Sequence, residues 1–315
     1  MFVSSIRMDE LSSVHPMQSS YWADLKGKTG WEGHAYRLGH SSLLVLTKTF
    51  LHLFTLAYVP FGPQETVSLK DLSKDLYRFL PRGTFAIRYD LPYESACDVS
   101  GCQIQKESVQ PDASVLIDLR KGYTTVVSGY RERARRALKK SKGKVVISRW
   151  DHKSADFDAW YDLYVKTAKR DGFSARSKSY MEEVLSDSTE KVSSTLFLAK
   201  REGVIVGGTI LLSSREEAIY LFGASERMDD CTSSHALQDA MIHAASAKGC
   251  DRYDLFGVSG KDGRGSHLAS LNLFKTSFGG ETLYRPPTCD HIRLHLLHAL
   301  FTSLENRRYR KQRNA

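Results

Sequence analysis

The stretch TLFLAKREGVIVGGTILLSSREEAIYLFGAS, residues 195–225, decides the fold. It holds three apolar, β-branched runs at 195–200, 204–213 and 217–223, the first two separated by the turn Arg201-Glu202-Gly203. A helical pattern follows from about 233 to 247 and stops at Gly249. The strand RYDLF at 252–256, a Gly-rich loop at 257–265 and a helix at 268–278 come next. Hairpin strands in succession, without strict βα alternation, predict an α+β fold over a doubly wound sheet.

Working outward, residues 124–141 read as a basic helix and 145–150 as a strand. Residues 156–170 place Phe157, Trp160, Tyr161, Tyr164 and Ala168 on one helical stripe, with Gly172 as the stop. The first half has a short helix at 18–26, strand runs at 33–48 and 51–59, and a helix at 68–80 capped by Ser68. A buried strand at 84–90, an exposed loop at 93–113 and a strand at 114–119 complete it. Each half runs helix, antiparallel strands, helix, strand, a likeness of element order with no residue-level repeat. Residues 291–304 form a last amphipathic helix leading into a basic tail.

The chain has 315 residues, 41% of them hydrophobic and 26% charged, which excludes disordered and low-complexity classes. Its net charge of +9 points to an anionic partner: nucleic acid, membrane surface or phosphorylated substrate. The charge is local. Arg131 to Lys144 carries eight basic residues and one acid, and Arg307 to Arg313 five basic residues and no acid, leaving −3 for the rest. Five cysteines without a CxxC pair read as reduced thiols; Cys289-Asp290-His291 stands alone as a metal candidate, so no metal is expected. The most apolar stretch, Leu43 to Phe61, is broken by Lys48 and His52, whereas a membrane helix needs about 20 nearly unbroken apolar residues. With no signal-peptide pattern visible, a soluble cytoplasmic protein is expected.

Several segments together resemble the Fem family of peptidoglycan interpeptide-bridge aminoacyltransferases. They are QSSYW at 18–22 with Lys26 and Trp31, YVPFGP at 58–63, AIRYDLPY at 86–93 and YRERARRALKKSKG at 130–143. Next come KRDGFSARSKSY at 169–180, IYLFGAS at 219–225, YDLFGVSG at 253–260 and NLFKTSFGG at 272–280. No single motif is specific; their order and spacing carry the likeness. The resemblance implies two tandem GNAT-like (acyl-CoA N-acyltransferase-like) domains, expected at 1–120 and 121–286, with 287–315 as helix and tail packing back on the first. Many members carry a long helical arm; no heptad stretch of that length occurs here, so the chain looks like the armless type.

The resemblance further implies transfer of an amino acid from aminoacyl-tRNA to a stem-peptide amine of a muropeptide precursor that carries a diphosphate. No cofactor is implied. An amine with a pKa near ~10.4 costs roughly 4–5 kcal/mol to deprotonate at pH 7. The ester carbonyl becomes an oxyanion, for which one well-placed donor is worth about 3–4 kcal/mol. Lys275 matches the family's oxyanion-stabilising lysine, and Phe274 beside it joins the substrate-binding set. Lys26 and Arg176 match positions that clamp the diphosphate. Tyr180 lies four residues after Arg176, on the same face if that stretch is helical. Tyr220 and Phe222, two apart on a strand, are expected on one side of it at the cleft wall.

Asp90, ending a buried strand, is the carboxylate candidate for accepting the amine proton, with substrate phosphate or solvent as the rival acceptor. Arg131, Arg135 and Lys139 on the basic helix are the candidate tRNA contacts, and the tail is a candidate contact for an anionic membrane. The loop 257–265 is not a P-loop, since no GK[ST] opens the next helix. The Q/R-x-x-G-x-G/A pattern by which acetyltransferases hold coenzyme A is also missing. An acyl-CoA-dependent N-acyltransferase is the alternative enzyme, and an inactive RNA- or membrane-binding relative the alternative non-enzyme.

Overall fold

A computed structural model describes the chain apart from residues 1, 2, 13, 187, 188, 190, 262, 263, 314 and 315, and without the side chains of 267 and 308–313. Most side chains of the basic tail, and two positions of the Gly-rich loop, therefore lie outside the described residues. The chain divides into two compact units. One holds Met1–Ala113, Ser259–Ser266 and Leu283–Ala315; the other holds Ser114–Val258 and His267–Thr282.

The first unit is a seven-stranded sheet built from β1 (Val3–Ile6), β2 (Glu32–Leu38), β3 (Ser41–Phe50), β4 (Phe54–Val59), β5 (Thr84–Tyr89), β6 (Gln103–Ile104) and β14 (Cys289–Ile292). Their order is β1-β2-β3-β4-β5-β14-β6. The run read as one strand at 33–48 is two, folded back at Gly39, whose φ of +56° a glycine adopts without strain. Leu43 to Leu46 are buried, as a central strand requires. Helix α1 (Ser20–Gly27) starts where Ser19 Oγ accepts from Trp22 N at 3.2 Å. Buried Gln18 fixes that segment by donating to Leu44 O and Pro60 O and accepting from Leu44 N at 2.8 Å. Helix α2 (Leu69–Leu76) lays Leu69, Leu72 and Leu76 into the core with Val45, Val59 and Ile87.

The second unit repeats the plan. Its strands are β7 (Ala113–Asp118), β8 (Val146–Arg149), β9 (Ser193–Arg201), β10 (Val204–Ser213), β11 (Glu217–Ser225), β12 (Arg252–Asp254) and β13 (Glu281–Tyr284), ordered β13-β7-β12-β11-β10-β9-β8. The basic segment is two helices, α3 (Tyr123–Ser128) and α4 (Glu132–Ser141), parted at Gly129. Helix α5 (Asp156–Asp171) ends at Gly172, with φ +73°, and its Trp160 lies on the sheet over Gly208. Helix α6 (Lys178–Ser186) was not expected; α7 (Ser233–Lys248) and α8 (Ala269–Lys275) were.

Each sheet contains a parallel pair, β4 with β5 and β11 with β12. The strand entering that pair carries the same tetrapeptide, Arg-Tyr-Asp-Leu, at 88–91 and at 252–255. A residue-level trace of the repeat therefore exists, four residues long, visible only once the two strands are known to be equivalent. Its Tyr, Asp and Leu are completely buried in both units. The pairs differ in length. Residues 55–59 pair along 84–89, and pairing runs on through Asp90 N to Val59 O and Gly62 N to Asp90 O. Glu217–Ile219 pair with Arg252–Asp254, and there the second pair opens.

Candidate active site

Past Asp254 the chain leaves β11: Leu255 N donates to Val115 O at 3.0 Å, and Phe256 and Gly257 take φ of +50° and +84°. Asp254 Oδ1 accepts from Phe256 N at 2.7 Å and from Ser114 Oγ, which fixes this turn. The turn aims the carbonyls of Phe256 and Gly257 at Lys275, the last residue of α8. Lys275 Nζ donates to both, at 2.6 Å to Gly257 O, and lies 5.5 Å from the centre of the Tyr220 ring.

Lys275 is 3% exposed and forms no ion pair among the described residues. Burial pulls its pKa down to about 7, with the charge of Asp254 working the other way. This site therefore holds an amine whose positive charge is supported by dipoles and a ring face, without a contacting carboxylate. Phe274, Phe278 and His235 pack beside it, with ring centres 4.8–5.6 Å apart. Burial, and next the charge of Arg133, lower the pKa of His235 to about 4, so it is neutral. Tyr220 stays protonated, its pKa raised to about 12 by burial.

Tyr220 and Phe222 do not share a side of β11. Leu211 faces Tyr220 and Ile210 faces Phe222, so Leu221 is an extra residue, a bulge, and the alternation reverses across it. Tyr220 lies against Gly223, where a Cβ would stand 2.2 Å from its hydroxyl. Gly223 is opposite Thr209, which reaches Met241 of α7. Phe222 meets Tyr164 of α5 and Tyr180 of α6 on the other face, both edge-on.

Arg176 belongs to that second face. It precedes α6, so the helical face foreseen for Arg176 and Tyr180 does not exist, yet the guanidinium lies 5.7 Å over the Tyr180 ring. Its backbone is held by two tyrosines: Arg176 N donates to Tyr164 Oη, and Tyr161 Oη donates to Arg176 O. The guanidinium is exposed and forms no ion pair among the described residues.

In the first unit, Lys26 Nζ sits 4.6 Å over the Trp22 ring. Asp90 is fully buried: its carboxylate accepts from Tyr58 Oη at 2.6 Å, from Arg285 at 3.0 Å and from Thr288. Both its oxygens are taken, so this carboxylate shapes the first unit. Asp290, from the metal candidate, is likewise committed to Arg88 and His298.

Arg131, Arg135 and Lys139 form an exposed stripe at i, i+4 and i+8 of α4. The basic run is partly structural: Lys140 and Lys144 tie down the backbone of Asp229 and Asp230, and Arg136 pairs with Glu132. Those two acids stand just before the N-terminus of α7, where an incoming diphosphate would meet like charge. The residues missed in the sequence are Asp254, Ser114 and His235. Only Asp254, in the repeated Arg-Tyr-Asp-Leu, carried a signal.

Two seven-stranded sheets, each with a parallel pair, make this a tandem GNAT-like α+β protein. A profile of the acetyltransferase (GNAT) domain matches residues 128–265. The chain is similar to a UDP-N-acetylmuramoylpentapeptide-lysine N(6)-alanyltransferase from Weissella viridescens, 24% identical over 173 residues. That match covers 54% of this chain and spans half the length of the relative. Among solved structures, FemX superposes with a TM-score of 0.78 at 18% identity, covering 96% of this chain and 100% of its own. The C-terminal domain of a putative lysylphosphatidylglycerol synthetase from Agrobacterium fabrum shares the fold at a TM-score of 0.51 and 14% identity, over 86% and 88% of the two chains. Among the described residues no helix is long and apolar enough to cross a membrane.

Proposed function

We propose that the chain is an aminoacyltransferase that joins an amino acid, delivered as its tRNA ester, to a stem-peptide amine of a peptidoglycan precursor. The observation that carries this reading is Lys275, a buried cation that lacks a contacting counter-ion. The amine attacks the ester carbonyl carbon, the carbonyl electrons move onto oxygen, and collapse of the tetrahedral species expels the ribose hydroxyl. The oxyanion gives Lys275 the opposite charge it lacks in the resting site. That interaction exists only during the reaction and so lowers the barrier itself. The amine releases its proton to substrate phosphate or solvent, which returns one to the departing ribose oxygen, and none is routed through Asp90.

The named activity of the Weissella relative supports a diphosphate-bearing muropeptide as acceptor. In this reading Lys26 and Arg176 bind the diphosphate, Tyr180, Tyr220 and Phe274 line the acceptor path, and Arg131, Arg135 and Lys139 meet tRNA phosphates. The test supplies saturating precursor with either a mixed pool of charged tRNAs or acyl-CoA and reads products by mass spectrometry. Product from charged tRNA, abolished by Lys275→Met without loss of precursor binding, is expected. Full turnover by Lys275→Met, or product from acyl-CoA alone, overturns the assignment. Lys26→Ala and Arg176→Ala should each weaken binding of the intact precursor, and an analogue lacking the diphosphate should bind wild type poorly.

A further inference from the structure

We propose that one edge of the first unit is a docking face for an anionic phospholipid bilayer, formed by the outer flank of α9 (His295–Arg313) and the β3–β4 tip. Helix α9 has two apolar stripes. Leu297 and Phe301 pack onto Phe85, Phe50 and Phe54 of the sheet. Leu296, Leu300 and Leu304, at i, i+4 and i+8, do not: they are 89%, 60% and 56% exposed. A stripe of three exposed leucines at helical spacing has no use in folding this unit.

The tip adds to it. Leu51 and Leu53 are 81% and 67% exposed, and the residues flanking them, Phe50 and Phe54, sit in the same cluster as Leu297 and Phe301. A groove of about 690 Å³ between α9 and Gln103 and Ile292 is lined by Thr302 and Asn306 and, at its rim, by Leu296 and Arg307. Leu300 and Leu304 are not part of that lining; each follows by three residues one of the pair, Leu297 and Phe301, that packs with Phe50 and Phe54 at the base of the tip.

Charge selects the partner. Arg307 falls on the leucine flank by helical spacing, and Arg82 adjoins the tip through Gly83. The sequence of α9 continues with Arg308, Arg310, Lys311 and Arg313. Glu305, the one acid in α9, is turned onto the buried Arg88 at 2.7 Å, so it does not offset these charges. Leucines bordered by basic residues on a surface helix fit the boundary between acyl chains and anionic headgroups. This face owes nothing to the reading of Lys275, and it would bring the chain to a membrane whether or not the acceptor is lipid-linked.

The test is co-sedimentation of the full chain with phosphatidylcholine vesicles, with and without about a third phosphatidylglycerol. Binding to the anionic vesicles alone is expected, weakened at least about tenfold on going from about 0.1 M to about 0.5 M salt. Leu300→Glu combined with Leu304→Glu should abolish it while leaving the thermal midpoint unchanged, since both side chains are exposed. Arg307→Glu should weaken it. Failure of wild type to sediment, or equal sedimentation of the double variant, overturns the proposal. So does a concentration-dependent dimer in light scattering that the double variant disperses, because a second copy would then be the occupant.

Discussion

Lys275 gives the most direct test of the site, because its burial changes stability whether or not it is catalytic. Its pKa falls from 10.5 to about 7 on folding. Between those values the unfolded chain binds more protons than the folded one, so stability rises with pH through this window. At 1.36 kcal/mol per unit, the penalty for burying the cation is about 4 kcal/mol at pH 7 and about 2 kcal/mol at pH 9. Above about 10.5 it vanishes. Lys275→Met removes this term and leaves the carbonyls of Phe256 and Gly257 without their donor, which costs about 1–3 kcal/mol each at any pH. The constant part cancels when the comparison is made at two pH values. Urea unfolding of both proteins at pH 7 and pH 9 should show wild type gaining about 2 kcal/mol on the variant as pH rises. An unchanged difference would refute the buried, depressed lysine and with it the proposed source of oxyanion stabilisation.

Three further outcomes are expected. If Lys275 acts as a cation, kcat/KM should climb about tenfold per pH unit up to about 7 and then level off toward the pKa of the acceptor amine. A slope of about two decades per unit below pH 7 would instead mark Lys275 as a base. Gly223→Ala should cost about 1–3 kcal/mol through the collision with Tyr220, and Tyr220→Ala in the same chain should relieve most of it in a double-mutant cycle. Arg88→Met should cost about 3–5 kcal/mol by leaving Asp290 and Glu305 without their shared partner. Burial opposes the charge on Asp290, yet His298 and Arg88 hold its carboxyl below the ordinary range. Its contribution is therefore present above pH ~4 and lost on further acidification, and urea titrations near pH 3 and pH 6 should show the Arg88→Met difference shrinking at the lower pH.

The strand meander at 195–225 was legible because each strand is long, apolar and bounded by turn residues, and the aromatic stripe of α5 because its period is unambiguous. Lys275 stood out by its apolar neighbours. Strands β1 and β14, four residues each, were not legible, since pairing with distant partners defines them. The reversal between Tyr220 and Phe222 was hidden for a different reason. A bulge is a property of the ladder, and no residue type at Leu221 announces it. Gly129 stands just before the basic run, inside the segment 124–141 read as one helix, and it parts α3 from α4 there.

The repeated Arg-Tyr-Asp-Leu separates what the fold requires from what the site requires. In the first unit Asp90 extends the parallel pair and its carboxylate is matched by Arg285, both completely buried. In the second unit the equivalent Asp254 meets a serine hydroxyl and a backbone N–H, and the pair opens. An asparagine at either position keeps an acceptor oxygen and loses the charge, so the same change should have two unlike effects. Asp90→Asn takes from the buried Arg285 the nearer of its two carboxylates, leaving Asp112 at 3.8 Å, and should cost about 3 kcal/mol. Asp254→Asn keeps the turn but withdraws a negative charge that supports Lys275, so the Lys275 pKa should drop further below its present value. In the activity profile, the break near neutral pH should then move to lower pH, with little loss of turnover on its acid side. If instead Asp254→Asn unfolds the chain and Asp90→Asn shifts the profile, the two units have their roles reversed, and Lys275 is not the reacting centre.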